Sequence, residues 1–352
     1  MKRSYVAVVG VIGVGLAGCG GSGSNHPDGG GGGGGGGDAG AVCADYANKY
    51  CARVAACAPG FLTLVGFTGA ADCSSYYQTT CALALGALHT ANTPALTQQC
   101  GDQLGAMTCT QLLGSGTASA CLPHGGTFAN GDSCNSPWQC SSGRCFTETL
   151  NNCGTCVPAI ASGQPCGNSE GFFGSSCADN LICALATLDS TTPVCTAPVA
   201  MGAACADSAV CPINATCDGT THVCKVLPAL GQSCDPTTIY YCDPTKAGAL
   251  CDSTTSLCEA TSAASPGGAC GTVSGATVAC NGACDLPSPD AGAGTCTPYL
   301  AAGQTCAAGG LCLVGTTCTD GVCTAMACDG TPVPPSGSDA AADAGPADAG
   351  GQ

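Results

Sequence analysis

Thiols are the reactive groups this chain carries in number, 35 cysteines among 352 residues. At that density three chemistries compete: redox exchange, metal ligation and oxidation to structural disulfides. Spacing decides among them. Cys153-Gly154-Thr155-Cys156 has the spacing of an exchange pair, whose first thiol is acidified when it sits at a helix start. Pro158 follows closely and turn-rich sequence surrounds the pair, so structural disulfides are the expected fate of both sulfurs. Zinc would draw on the same thiols, with His89, His124 and His222 as further ligands. No Cys-x2-Cys pair faces a second one, and no metal site is expected. Calcium has 23 carboxylates to draw on, but no Asp-x-Asp-x-Asp-Gly loop occurs and single turn acids explain them.

Two further motifs fail for want of context. Gly13-Val14-Gly15-Leu16-Ala17-Gly18 matches a dinucleotide fingerprint without the strand, turn and helix that give it meaning. Gly167-Asn168-Ser169-Glu170-Gly171 matches a nucleophile elbow, yet it lies between Cys166 and Cys177, where no buried strand precedes it. No catalytic residue and no cofactor is therefore expected, and the chain reads as a non-enzyme. Trp138, the single Trp, is the candidate hot spot of a binding surface, against the plainer reading of a small local core. The balance of 7 basic and 23 acidic residues argues against a nucleic-acid partner.

The first residues address the compartment. Met1-Lys2-Arg3 and the apolar run Tyr5–Leu16 form a secretory leader too short to stay as a membrane span. Leu16-Ala17-Gly18-Cys19 resembles the lipobox of bacterial lipoproteins. The resemblance implies cleavage after residue 18, acylation of Cys19 and a membrane partner reached through lipid. Gly20 in place of the family's retaining Asp implies the outer membrane or cell surface. Residues 19–40, with nine consecutive glycines at 29–37, cannot bury apolar area and are expected to be a tether of about 25 Å mean span. Residues 329–352, rich in Ala, Asp, Gly and Pro, read as a disordered acidic tail.

Residues 41–121 carry helical spacing. Cys43, Ala47, Tyr50, Cys51 and Val54 share one face, and Cys73, Tyr77, Cys81, Leu85 and Leu88 share another. Each set contains Cys-x7-Cys, a rise of about 12 Å, so an antiparallel hairpin would align two disulfide rungs, Cys43 to Cys81 and Cys51 to Cys73. Thr93-Pro94 opens a third helix, and a weaker fourth is expected over 104–113. Cys57, Cys100, Cys109 and Cys121 would close the rest.

From Cys134 a repeat replaces that period. Gly131, Gly163, Gly202, Gly231, Gly267 and Gly303 each stand three residues before a cysteine, and each opens a four-cysteine unit. Nine residues join successive units at four of the five joints, and eleven after Cys258. Asp218-Gly219 and Asp320-Gly321 signal hairpins between the third and fourth cysteines. Units this short must depend on cross-links. The pattern resembles the Dickkopf amino-terminal cysteine-rich repeats found in lipoproteins of myxobacteria-like genomes, which implies protein binding without catalysis. Cys153 and Cys328 stand outside the units, and their pairing stays open.

The expected fold is small and disulfide-rich: a stapled helical domain, then six β-hairpin units over 122–328 arranged as a rod or curved array. The expected function is a lipid-anchored surface protein that binds an unknown protein or glycan partner. An envelope protease inhibitor is the alternative, and a thiol-disulfide oxidoreductase using Cys153 and Cys156 a second.

Overall fold

The structure, a computed structural model, describes residues 38–328 apart from 88, 115–117, 124, 147–152, 167–169, 172–173, 176, 186, 188–189, 237–241, 289–290, 307–310, 314–315 and 327. The leader, Cys19, nearly all of the tether and the tail lie outside the described residues. So do Leu88, His124 and the first three residues of the elbow-like motif at 167–171.

Helix α1 (Ala39–Cys57) starts where the Asp38 carboxylate accepts from the Gly40 N–H at 3.1 Å, so the last two residues of the expected tether belong to it. Its buried face is Val42, Cys43, Tyr46, Ala47, Tyr50, Cys51, Val54 and Cys57. Helix α2 (Pro59–Leu64) is a single short turn begun by Pro59. Helix α3 (Ala70–Gly86) lays Cys73, Thr80, Cys81 and Ala84 against α1. Helix α4 (Pro94–Ala106) is capped by Thr93, whose hydroxyl accepts from the Leu96 N–H at 3.2 Å.

The expected helix over 104–113 is two elements. The chain extends at Met107 and Thr108, and α5 (Cys109–Leu113) starts afresh. A reciprocal cap explains the break, because Thr108 accepts from the Gln111 N–H while Gln111 accepts from the Thr108 N–H. An aromatic cluster fills the interior, with Tyr50 edge-on to Tyr77 at 4.8 Å and Phe67 edge-on to Tyr76 at 5.5 Å. Burial pushes the Tyr46 and Tyr50 hydroxyls well above their ordinary titration range, so both stay neutral.

The units contribute short antiparallel ladders. Ala215–Cys217 pairs with Cys224–Val226, and Ala249–Cys251 with Cys258–Ala260. The fifth unit builds a larger sheet in the order Ser262–Ala264, Ala276–Cys280, Ala269–Val273, Ala293–Pro298, Gly282–Asp285. The eleven-residue joint supplies its first strand, which runs parallel to Val278–Cys280.

The units do not stand off from the helices as a rod. Ala91 donates to the Trp138 carbonyl at 2.8 Å, Ile213 to the Leu113 carbonyl at 2.9 Å and Gly60 to the Pro244 carbonyl at 3.0 Å. Ile213 belongs to the helical core itself. A methyl at Gly60 would lie 2.2 Å from Ala247, and one at Gly66 2.3 Å from Asn281, so the α2 region meets the fourth and fifth units backbone to backbone. Tyr76 of α3 lies 6.5 Å from Tyr299 at the last joint. The line of units also returns to its start, since Cys153 is bonded to Cys328 across 175 residues. Apolar side chains on the inner side of the units need cover, and the helices provide it.

Candidate functional site

All 34 cysteines after Cys19 are joined in 17 disulfides. In the helical part Cys43 is bonded to Cys81 and Cys51 to Cys73, while Cys57 pairs with Cys109 and Cys100 with Cys121. In each of the six units the first cysteine pairs with the third and the second with the fourth, as in Cys205–Cys217 with Cys211–Cys224.

The opening glycine has one geometric task in every unit. Gly131, Gly163, Gly202, Gly231, Gly267 and Gly303 all have φ between 77° and 97°. Each N–H donates to the carbonyl of the unit's fourth cysteine at 2.7–2.9 Å, and that cysteine's N–H donates back to the residue after the glycine at 2.8–3.0 Å. The glycine is the third residue of a β-turn closed, for example, by Ala203 donating to the Ala200 carbonyl at 3.1 Å. A positive φ at that position defines a type II turn, which L residues with side chains resist. No atom lies within 4 Å of the missing Cβ in any of the six, so conformation alone selects glycine. Gly202→Ala is expected to fold with the turn strained by about 1–2 kcal/mol, read as a lower midpoint in urea under non-reducing conditions.

Three residues before the glycine the chain meets the second cysteine. Phe128 bridges Cys140, Ile160 bridges Cys177, Leu300 bridges Cys312 and Ala264 pairs with Cys280, all in parallel. The step from that residue to the first cysteine is constant, a four-residue turn and one further residue, even at the longer joint after Cys258.

The hairpin tips vary on that frame. Four residues separate Cys318 from Cys323, and eleven separate Cys183 from Cys195. At the shortest tip Asp320 and Gly321 both take positive φ, 52° and 79°, the two-residue turn that suits a twisted hairpin. Two middle-length tips share a device that the sequence reading missed. The Asp218 carboxylate accepts from the Thr220 and Thr221 N–H groups and the Thr221 hydroxyl, and Asp252 does the same with Thr254 and Thr255. His222 and Ser256 then take positive φ. Hydrogen bonds from Thr221 and then Thr220 hold the Asp218 carboxyl far below the usual carboxylate range. The signal was present as Asp-x-Thr-Thr-x-apolar-Cys, written twice.

The structure separates the two cysteines of the exchange-like motif and gives both the structural disulfides expected of them. Cys156 is bonded to Cys140, and Cys153 to Cys328, so the two sulfurs of Cys153-Gly154-Thr155-Cys156 never share a bond. Trp138 is 1% exposed in a 3-10 turn over Pro137–Gln139 and therefore offers no surface anchor. Groups of three sulfurs, such as Cys205, Cys211 and Cys224, lie within 4.8 Å of one another because two disulfides cross there. Each sulfur is spent in a covalent bond, and none is a thiolate ligand.

Charge pairs are few among the described residues. Lys49 bridges Asp45 and Asp102 across α1 and α4. The Lys49 ammonium holds both carboxyls below their ordinary range. Arg144 of the first unit pairs with Asp179 of the second and donates to the Cys177 carbonyl at 2.8 Å. These pairs brace elements, and among the described residues no group of acids, bases and nucleophiles converges beside them. Among the described residues no helix is long and apolar enough to cross a membrane.

No protein-family model, curated protein or solved structure matches the chain. What the fold defines is therefore its class: a cysteine-rich protein of extracellular or secreted type, since so many disulfides persist only under oxidising conditions.

Proposed function

We propose that the protein is a lipid-anchored, non-enzymatic recognition module of the bacterial cell surface, which presents hairpin tips to a protein or glycan partner. One observation carries this reading. Six units repeat the same turn, the same reciprocal hydrogen bonds and the same crossed disulfides, while the tips they hold differ in length and composition. Rigid frames with variable loops are the usual arrangement of binding surfaces. The resemblance to Dickkopf-type repeats agrees with it, and the acidic balance directs the surface away from nucleic acid.

The anchor is supported by the order of charge, apolar run, small residues and Cys19 in the leader. Cys19→Ser is expected to accumulate as an unprocessed precursor without acyl groups. A variant processed, lipidated and extracted by detergent like the parent would defeat the lipoprotein reading. For recognition, the full-length protein in detergent is presented to surface extract of its own cells, with each tip replaced in turn by Asn-Gly. A partner lost with one tip, while all disulfides stay intact, supports the reading. Capture that survives every replacement overturns it.

An envelope protease inhibitor would use the same tips. The feature that favours it is the crossed disulfide frame at the base of each tip, and cleavage of one tip by the bound protease would distinguish it.

A further inference from the structure

We propose that the Cys153–Cys328 disulfide is a thiol-exchange site, through which an external dithiol opens the ring of units and that reductant's disulfide form recloses it, while each unit stays folded. Two observations converge on this bond, and neither depends on the proposed binding role.

Its placement differs from that of the other sixteen. Those bonds span 11 to 52 residues and lie inside one unit or inside the helical part. Cys153–Cys328 spans 175 and joins the first unit to the segment after the last. Its exposure differs too. Cys153 is the one exposed cysteine among the described residues, whereas Cys328 is 2% exposed. Beside it the Asn135 amide donates to the Met326 carbonyl at 3.0 Å, and both residues are buried.

Exchange needs a thiolate to reach one sulfur along the S–S axis, so access and leaving group set the course. An external thiolate attacks Cys153 Sγ and forms a mixed disulfide. The Cys153–Cys328 bond breaks, its electron pair leaves on Cys328 Sγ, and that thiolate takes a proton from water. The second thiol of the same reductant then attacks the mixed disulfide, frees Cys153 as a thiolate and closes its own ring. The dithiol loses two electrons and the protein gains two. Both disulfides of every unit survive, so the frame that holds each hairpin is unchanged, and the reverse exchange, in which a Cys thiolate attacks the reductant's cyclic disulfide and regenerates the dithiol, recloses the ring.

The test uses the full chain under native conditions, limiting dithiothreitol, an iodoacetamide quench and peptide mass mapping. Alkylation is expected at Cys153 and Cys328 first, about tenfold ahead of any other pair, because the other bonds are buried or half-buried and must wait for local opening. With glutathione in place of the dithiol, the adduct is expected on Cys153 and the free thiol on Cys328. A different pair reacting first, a single loss of all 34, or the reverse adduct would overturn the proposal. The double variant Cys153→Ser with Cys328→Ser is expected to fold, keep sixteen disulfides and lose the fast phase. A fast phase that persists, or failure of that variant to fold, would contradict an exchange site whose opening leaves the units intact.

Discussion

Trp138→Ala is expected to lower stability by about 3–5 kcal/mol, the range for deleting a fully buried aromatic side chain from a packed core. The residue is 1% exposed, and the carbonyl of its own peptide accepts the Ala91 N–H at 2.8 Å. The deletion therefore opens a cavity in the packed interior. Non-reducing urea denaturation checks the size of the effect, and the midpoint should fall without a large change in slope. A loss below about 1 kcal/mol would place Trp138 outside the packed interior and restore the surface-anchor reading.

Removing the Cys211–Cys224 disulfide by a double change to alanine is expected to cost about 2–5 kcal/mol, the usual loss for a native bond in a small secreted unit. More is at stake here than one hairpin. Ile213 stands two residues after Cys211, donates to the Leu113 carbonyl and is 5% exposed within the helical core. Release of the third unit should therefore disturb α5, and slowed amide exchange at Leu112 and Leu113 should become fast together with exchange at Ala215 and Thr216. Loosening confined to the third unit, with α5 unaffected, would mean that the two regions fold independently.

That coupling is where sequence reasoning fell short, for a physical reason. Cys-x7-Cys on two amphipathic faces specifies rungs because helical rise fixes both distances, so Cys43, Cys51, Cys73 and Cys81 carry their geometry locally. The unit frame is equally local: Gly131 and its five counterparts take the one backbone conformation that makes glycine necessary. Nothing local says that Ile213 leaves its own unit for a helical core, or that Cys328 travels back to Cys153. Those are contacts between distant segments, and they depend on which inner faces lack cover once the units have formed. The break at Met107 and Thr108 is an intermediate case. The Thr108–Gln111 cap is legible as Thr-x-x-Gln, but the apolar period running through it suggested one helix. Trp138 stays open between two readings in the sequence, because an aromatic beside proline in a small repeat has no local mark that separates a surface anchor from a buried residue.

A disulfide map of the unreduced protein tests the architecture most directly. The joined peptides should be identified by mass spectrometry after proteolysis at acidic pH, where exchange is suppressed because thiolates are scarce. First-to-third and second-to-fourth pairing is expected in all six units, with Cys140 joined to Cys156 and Cys153 joined to Cys328. A Cys153–Cys156 bond, or neighbouring cysteines paired within the units, would contradict the crossed frame and the closed ring together.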